Sequence, residues 1–445
     1  IEAAMGDLEA ARSSFSRGLE VAPGDTRLLH YLAALDVAED DFQSAHDRYL
    51  TILELKPDDA LAMVSLAKLS VRAEDQDAAL EWLEKARDAD ANSVTARAML
   101  AYLRLRLGDF DSAEEVAKEA VALDKDNAQL HNMLGLAQYF GKNYRDARYS
   151  LDRATKLDPD EPIYRLSLAR AQIADGDNAG ALRTLEESVE RTLQHLPSGL
   201  LLAAMKADQG DLDGAREIAS RMEGLHPEAG APYAVEAEIL ARHGDLVGAA
   251  SAIDQALAVE MNDRWAVRAY QTRIKGGIAK PMEPLLAYLK ERPLDSNMRL
   301  ILAQAYQNAG EIGNANAQYE QVLASRPDNF VATNNLAWNY FTSGDARAES
   351  LARRAYELRP ESSAVVDTLG WILVKTGGLE EGVALLRKAV ELEAATPDVR
   401  YHLAAALAES GEKDEAKSIL AELLESEQPF PSKDAAESLL AELTP

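Results

Sequence analysis

The chain has 445 residues, of which 47% are hydrophobic and only 6% aromatic, and its formal net charge is −28. A surface this acidic argues against general binding to nucleic acid or to an anionic membrane, both of which need basic patches. There is no cysteine, which removes disulfides, thiolate nucleophiles and thiol-bound zinc. No apolar run approaches the roughly 18 residues of a membrane span.

Taken from its start, the chain opens on Ile1 rather than on an initiator methionine, and Gly6-Asp7-Leu8 reads as a turn leading into a second helix. The expectation is a processed or truncated piece of a longer protein, with any targeting segment or lipid-anchoring cysteine upstream. From Asp25 a pattern sets in that is clearest over Ala128–Glu161. Leu130, Leu134 and Leu136 recur at helical spacing, a break falls at Gly141–Tyr144, and Ala147, Leu151, Ala154 and Leu157 mark a second helix that Pro159 ends. Taking Ala147 as reference, the same position holds Ala11, Ala45, Ala79, Ala113, Ala181, Ala215 and Ala249, each 34 residues from the next. Only a small side chain allows the two helices of a pair to cross closely, so the spacing predicts a stack of helical hairpins. Gly108-Asp109, Gly176-Asp177, Gly210-Asp211 and Gly244-Asp245 supply the turns between paired helices, where positive φ favours glycine.

These residues resemble the tetratricopeptide repeat (TPR): Leu134-Gly135 match its Leu-Gly pair, Ala147 and Ala154 its small residues, and Pro159 its closing proline. The resemblance implies an all-α, right-handed solenoid of about twelve repeats, preceded by a half repeat and closed by a capping helix. The series stumbles after Ala249. The next equivalent, Ala315, lies 66 residues on, and Ala348, Gly382 and Ala416 follow at 33, 34 and 34. Lys275–Pro284 carries two glycines and two prolines where a turn and helix should be, so an irregular joint is expected with a short helix over Leu285–Lys290. The expected organisation is a regular array over 1–263, a degenerate joint over 264–295, a second array over 296–428 and a capping segment over 429–445. In the last, a helix over Pro431–Leu443 carries Leu439, Leu440 and Leu443 on one stripe, as the native C-terminal cap of such a stack would.

No catalytic pattern emerges, and the chain is expected not to be an enzyme and to need no cofactor or metal. Gly135-x5-Gly141-Lys142-Asn143 misses a phosphate-binding loop in spacing, lacks its Ser/Thr and follows a helix rather than a strand. His30, His46, His131, His195, His226, His243 and His402 include no pair three or four apart, and no GxSxG elbow occurs. Acidic pairs such as Glu114-Glu115 read as a solvated outer face.

In the family, first-helix positions 2, 5, 9, 12 and 13 line a concave groove. In the first five complete repeats these 25 positions include no Asp or Glu, although 75 of the 445 residues are acidic. Nearness to the core would also deplete acids. The functional reading is a groove for an extended, partly anionic ligand, gripped by Arg27, Lys68, Arg72, Arg106 and Arg170 beside His30, Tyr102, Asn132, Tyr139 and Phe140. A second candidate lies in the later repeats, where Trp338 and Trp371 take position 9 in succession, with Asn334, Phe341, Asp367 and Tyr401 nearby. Such rings suit a peptide or a sugar face, and equally could fill space between adjoining first helices. A carboxylate clamp is not matched, since positions 5 and 9 read His30/Ala34, Val64/Lys68 and Ala98/Tyr102. Nor is a continuous asparagine ladder, for which Asn132, Asn334 and Asn335 are nearly alone.

Over Val331–Leu443, the segments NNLAWNY, DTLGWILVKTGGLEEGVALLRKA and RYHLAAALAESGEKDEA resemble bacterial envelope TPR proteins. The likeness is to the TPR lipoproteins of exosortase (PEP-CTERM) and exopolysaccharide loci, with alginate, Pel and cellulose export scaffolds as architectural relatives. That resemblance implies a scaffold in the bacterial periplasm or on the inner face of the outer membrane. Its partners would be proteins, among them export components, or a polysaccharide. Competing expectations are a cytoplasmic adaptor or co-chaperone and the regulatory arm of a larger enzyme.

Overall fold

The computed structural model describes residues 8–392, 396–425 and 430–444. The turn expected at Gly6-Asp7 lies outside them. The described residues form twenty-six α-helices and no strand, and the chain divides into two compact units, Ile1–Ile239 and Leu240–Pro445.

In the first unit, first helices (Thr26–Ala38, Ala60–Arg72, Val94–Leu107, Ala128–Phe140, Pro162–Ala174, Leu196–Asp208) alternate with second helices (Phe42–Leu55, Gln76–Ala89, Phe110–Leu123, Tyr144–Leu157, Asn178–Arg191, Leu212–Leu225). The reference alanines Ala45, Ala79, Ala113, Ala147, Ala181 and Ala215 are all 0% exposed. Opposite them the first helix is just as tight: a Cβ on Gly135 would stand 2.4 Å from Leu151 Cγ. The Gly-Asp turns act as read from the sequence. Gly108, Gly176, Gly210 and Gly244 have φ of +81 to +85°, and the following aspartates cap the second helices, as where Gly180 N–H donates to Asp177 Oδ1 at 2.8 Å. Each such cap contributes about 1 kcal/mol. Three turns without glycine there use Asp40, Glu74 and Lys142 at φ +59, +59 and +65°, a left-handed conformation that costs an L-residue about 1 kcal/mol. In the third of these, Gly141 itself sits at ordinary negative φ, as the cap of Ala128–Phe140, and Lys142 makes the turn.

Consecutive first helices from Ala60–Arg72 to Leu196–Asp208 approach each other more closely than consecutive second helices do. First-helix side chains that point away from their second helices therefore share one inner face. Toward the end of this unit, Glu223 is held protonated up to about pH 7, by burial first and then by a hydrogen bond to the Glu236 carboxyl. Arg216 pairs with Glu236 at 3.3 Å. The folded chain thus binds this proton more tightly than the unfolded chain. The resulting stability is complete below the ordinary carboxylate range and is lost as pH rises through about 7. We expect about 1 kcal/mol across that window, discounted because the pair is partly open to water. Urea titrations at pH 5.5 and 8 should show it, and Glu223→Gln should flatten the difference. An unchanged slope in that variant would mean the pair does not share a proton.

The second unit opens with Leu246–Val259 and Asp263–Lys275 and reaches the irregular joint. Gly277 at φ +61° and Lys280 at +53° bend the chain, and Pro284 sits in the first turn of a nine-residue helix, Glu283–Glu291, which covers the short helix expected there. Paired helices then resume: Ser296–Asn308 with Ile312–Ser325, Phe330–Ser343 with Ala348–Leu358, Ser363–Thr376 with Leu379–Glu391, and Pro397–Ser410 with Lys413–Glu425. The final helix, Lys433–Leu443, buries Ala436 and lays Leu439, Leu440 and Leu443 against Ala404, Leu420, Leu423 and Phe430, as a cap would. Where Ser363–Thr376 crosses Leu379–Glu391 both facing residues are glycine: a Cβ on Gly382 would lie 2.7 Å from Gly370 O.

Candidate functional site

Each first helix of the first unit turns an apolar stripe inward and must leave other positions to solvent. Ala60–Arg72 buries Met63, Val64, Leu66 and Ala67, for instance, and exposes Leu61 and Lys68. The same geometry exposes Tyr102 (52%), Phe140 (49%) and Ile163 (41%) at register-related positions. Interleaved with them, Lys68, Arg106 and Arg170 are exposed and, among the described residues, have no carboxylate within 4.0 Å. Arg106 lies 6.0 Å from the Tyr102 ring centroid, a loose cation–π contact. Phe140 stacks on Phe110 at 5.6 Å and meets Tyr139 edge-on at 5.1 Å, so its position is set by its neighbours while its outer face stays open.

Arg27, His30 and Arg72 on this face are engaged within the chain. Arg27 pairs with Asp25, the cap of its own helix, at 3.0 Å. His30 meets Asp59, the cap of the next first helix, at 3.2 Å and lies against Tyr49. Arg72 sits 4.0 Å over the Phe42 ring and reaches Asp40 at 3.4 Å. Asn132 has its side-chain oxygen buried with no donor, and Asn334, at the same fifth position of its own first helix in the second unit, repeats this.

In the second unit the structure gathers the later candidates around a residue that had been noted only as a histidine. His402 stacks on Trp371 at 4.3 Å and lies 5.9 Å from Trp338 and 5.9 Å from Tyr401. Its Nδ1 is 2.9 and 3.0 Å from the two Asp367 oxygens, and both residues are buried. Phe341 lies 5.9 Å from Trp338. The Lys375 ammonium sits 4.5 Å over the Trp371 ring and is tied to Glu409. The rings thus lie between adjoining first helices, with His402 and Lys375 against Trp371. Beyond them opens a cavity of about 710 Å³ lined by Trp371, Lys375, Tyr401, Lys413, Leu439 and Glu442. His402 follows Tyr401 directly in the sequence, but position 6 is not among the groove positions, so register alone does not mark it.

Among the described residues no cluster of His, Asp or Glu has the makings of a metal site, and no helix is long and apolar enough to cross a membrane. The first-helix face presents open apolar surface flanked by cations that, among the described residues, have no carboxylate within 4.0 Å.

Comparison with known proteins agrees with the helix-pair geometry. Two family models, both described as tetratricopeptide repeat, match residues 70–137 and 373–443, and 32–94, 137–194 and 300–363. A TPR repeat-containing protein of Pseudomonas aeruginosa is 28% identical over 105 residues, which is 23% of this chain and 18% of that protein's length. Among solved structures, Pseudomonas aeruginosa pilF is 20% identical, over 48% of this chain and 97% of its own, with a TM-score of 0.40. Yeast Tom70 is 17% identical, over 94% and 95%, with a TM-score of 0.39. YrrB, described as a TPR protein with an unusual peptide-binding site, is 16% identical, over 42% and 97%, with a TM-score of 0.35. With matches spread from residue 32 to residue 443 over helical hairpins of the expected period, the chain belongs to the tetratricopeptide-repeat family.

Proposed function

We propose that this protein is a non-catalytic interaction scaffold, and that the first-helix face of Ile1–Ile239 holds an extended, partly acidic segment of a partner protein. One observation carries the reading. In a chain of net charge −28, where most arginines are paired, Lys68, Arg106 and Arg170 stay exposed and unpaired beside open Leu61, Tyr102, Phe140 and Ile163. Apolar contact would supply affinity, and the cations would select acidic sequence and speed encounter. Arg27, His30 and Arg72 would shape the rim, and Asn132 with Tyr139 the floor. In the second unit, Asn334, Trp338, Phe341, Asp367, Trp371 and Tyr401 form a second candidate surface for peptide or sugar, the cavity beside Trp371 and Tyr401 being its open part.

The setting we propose is the bacterial cell envelope, on the periplasmic side, in export of exopolysaccharide or surface proteins. The likeness of Val331–Leu443 to envelope TPR proteins supports it. The test combines capture with charge reversal. Affinity capture from the native cells, with mass spectrometry and carbohydrate analysis, should return envelope export components or polymer; cytosolic chaperones alone would replace that setting with an adaptor role. For the captured protein partner, Lys68→Glu/Arg106→Glu/Arg170→Glu should weaken binding at least tenfold while moving stability by no more than about 0.5 kcal/mol, because all three are surface residues. Undiminished affinity in that variant would refute the first-helix face as the docking surface.

A further inference from the structure

An arginine recurs as the fourth residue of four first helices: Arg97, Arg165, Arg299 and Arg400. In two repeats the second helix answers it. Arg97 donates to Glu119 at 2.9 Å and to the carbonyls of Asp90 and Ser93, and Arg299 donates to Gln318 at 2.9 Å, to Gln321 and to the carbonyl of Pro293. Glu119 and Gln321 both stand 22 residues after their arginine.

Arg400 stands exposed to water, whereas Arg165 lacks a second-helix partner while buried. Arg165 is only 5% exposed, yet among the described residues its sole protein acceptor is the carbonyl of Pro159. Among the described residues no carboxylate lies within 4.0 Å of it. The residue in Glu119's place is Glu187, which is exposed and does not reach, and Thr184, in Gln318's place, donates its hydroxyl to Gln172 at 2.9 Å instead. Burial pushes the Arg165 pKa down, and Arg191 adds to the effect. A buried guanidinium with one carbonyl acceptor is a costly arrangement that a strong anionic acceptor would relieve.

The space for one is present. Arg165 lines a cleft of about 490 Å³ between the helices Tyr144–Leu157 and Asn178–Arg191, on the opposite side of the hairpins from the proposed peptide face. Two carboxylates on its rim are already neutralised, Asp152 by Lys156 at 2.6 Å and Asp177 by Arg148 at 2.7 Å. Arg183, exposed and without a partner among the described residues, adds a second cation, and of the carboxylates lining the cleft Glu187 is the one left over. We propose that this cleft binds a small phosphate-type oxyanion, free or as a monoester, with Arg165 at its floor and Arg183 at its mouth. The guanidinium fork matches two oxygens of such a group, and the volume lies within the range of small-molecule sites. The site is independent of the partner-docking surface.

The experiment is calorimetric titration of the full chain with inorganic phosphate and with glycerol 3-phosphate, at constant ionic strength, with chloride and acetate as controls. Saturable phosphate binding is expected, with Arg165→Met and Arg183→Ser each weakening it about tenfold or more. Glu187→Gln should strengthen it severalfold. Tighter binding of the monoester identifies a phosphorylated metabolite as the ligand; equal binding identifies phosphate itself. Arg183 is exposed, so Arg183→Ser gives a decision even if the Arg165 variant misfolds. Phosphate heats no different from chloride, or full binding by Arg183→Ser, would overturn the proposal. So would loss of thermal stability in Glu187→Gln, since Glu187 would then be the internal partner of Arg165.

Discussion

Replacing Gly382 with alanine is expected to cost about 2–3 kcal/mol, because the new methyl group has nowhere to go. Its Cβ would stand 2.7 Å from Gly370 O, 2.9 Å from Val374 N and 2.6 Å from Val374 Cγ2. Two of those three atoms are backbone of the partner helix, so the pair Ser363–Thr376 and Leu379–Glu391 must separate rather than a side chain rotate. Gly313→Ala is the control. That glycine lies in the first turn of Ile312–Ser325 with nothing within 4 Å of a Cβ, and alanine there should be neutral or stabilising by up to about 1 kcal/mol. Urea denaturation of both variants measures the contrast. Equal effects would mean that the close crossing is not what the glycine serves.

His402→Leu should be about as damaging, near 3 kcal/mol, for an electrostatic reason. His402 and Asp367 are each 7% exposed, and the imidazole is the only hydrogen-bond partner of the Asp367 carboxylate among the described residues. Removing the imidazole leaves the buried Asp367 carboxyl group without its hydrogen-bond partner, which costs more than the pair itself contributes. The double variant Asp367→Leu/His402→Leu should therefore recover much of the loss. Trp338 and Trp371 lie against His402, so their fluorescence should report the local change. If the double variant is as unstable as the sum of the singles, the two side chains act separately and the pairing carries no energy.

Both predictions concern residues that sequence reading placed with different success. Gly382 was legible because close crossing leaves a periodic trace: a position that tolerates only Ala or Gly recurs at a near-constant interval through the chain. The turns were legible for the same reason, since Gly-Asp joins a left-handed residue to a helix cap in adjacent positions. Where a turn lacks glycine, at Asp40, Glu74 and Lys142, tertiary packing imposes the conformation against local preference.

The pairings could not be read this way. Asp367 and Arg72 looked like groove residues from their register, yet one is buried on His402 and the other lies over Phe42 with Asp40 in reach. Register gives the direction of a side chain but not its length, its rotamer or what the next repeat presents to it. Arg165 shows the same gap from the other side. Two of its counterparts, Arg97 and Arg299, are satisfied by residues 22 positions on, and only the folded structure reveals that Glu187 fails to do so.

The sequence by itself determined the helical hairpin, its period, its crossing point and its caps, because each depends on backbone geometry and residue size within a few dozen residues. The tertiary structure decided which charges are spent and which are free, because that depends on distances between repeats that no periodicity encodes. Register alone put Lys68, Arg106 and Arg170 on a par with Arg27 and Arg72, and only the structure separates the first three, which have no carboxylate within 4.0 Å among the described residues, from the two that are paired.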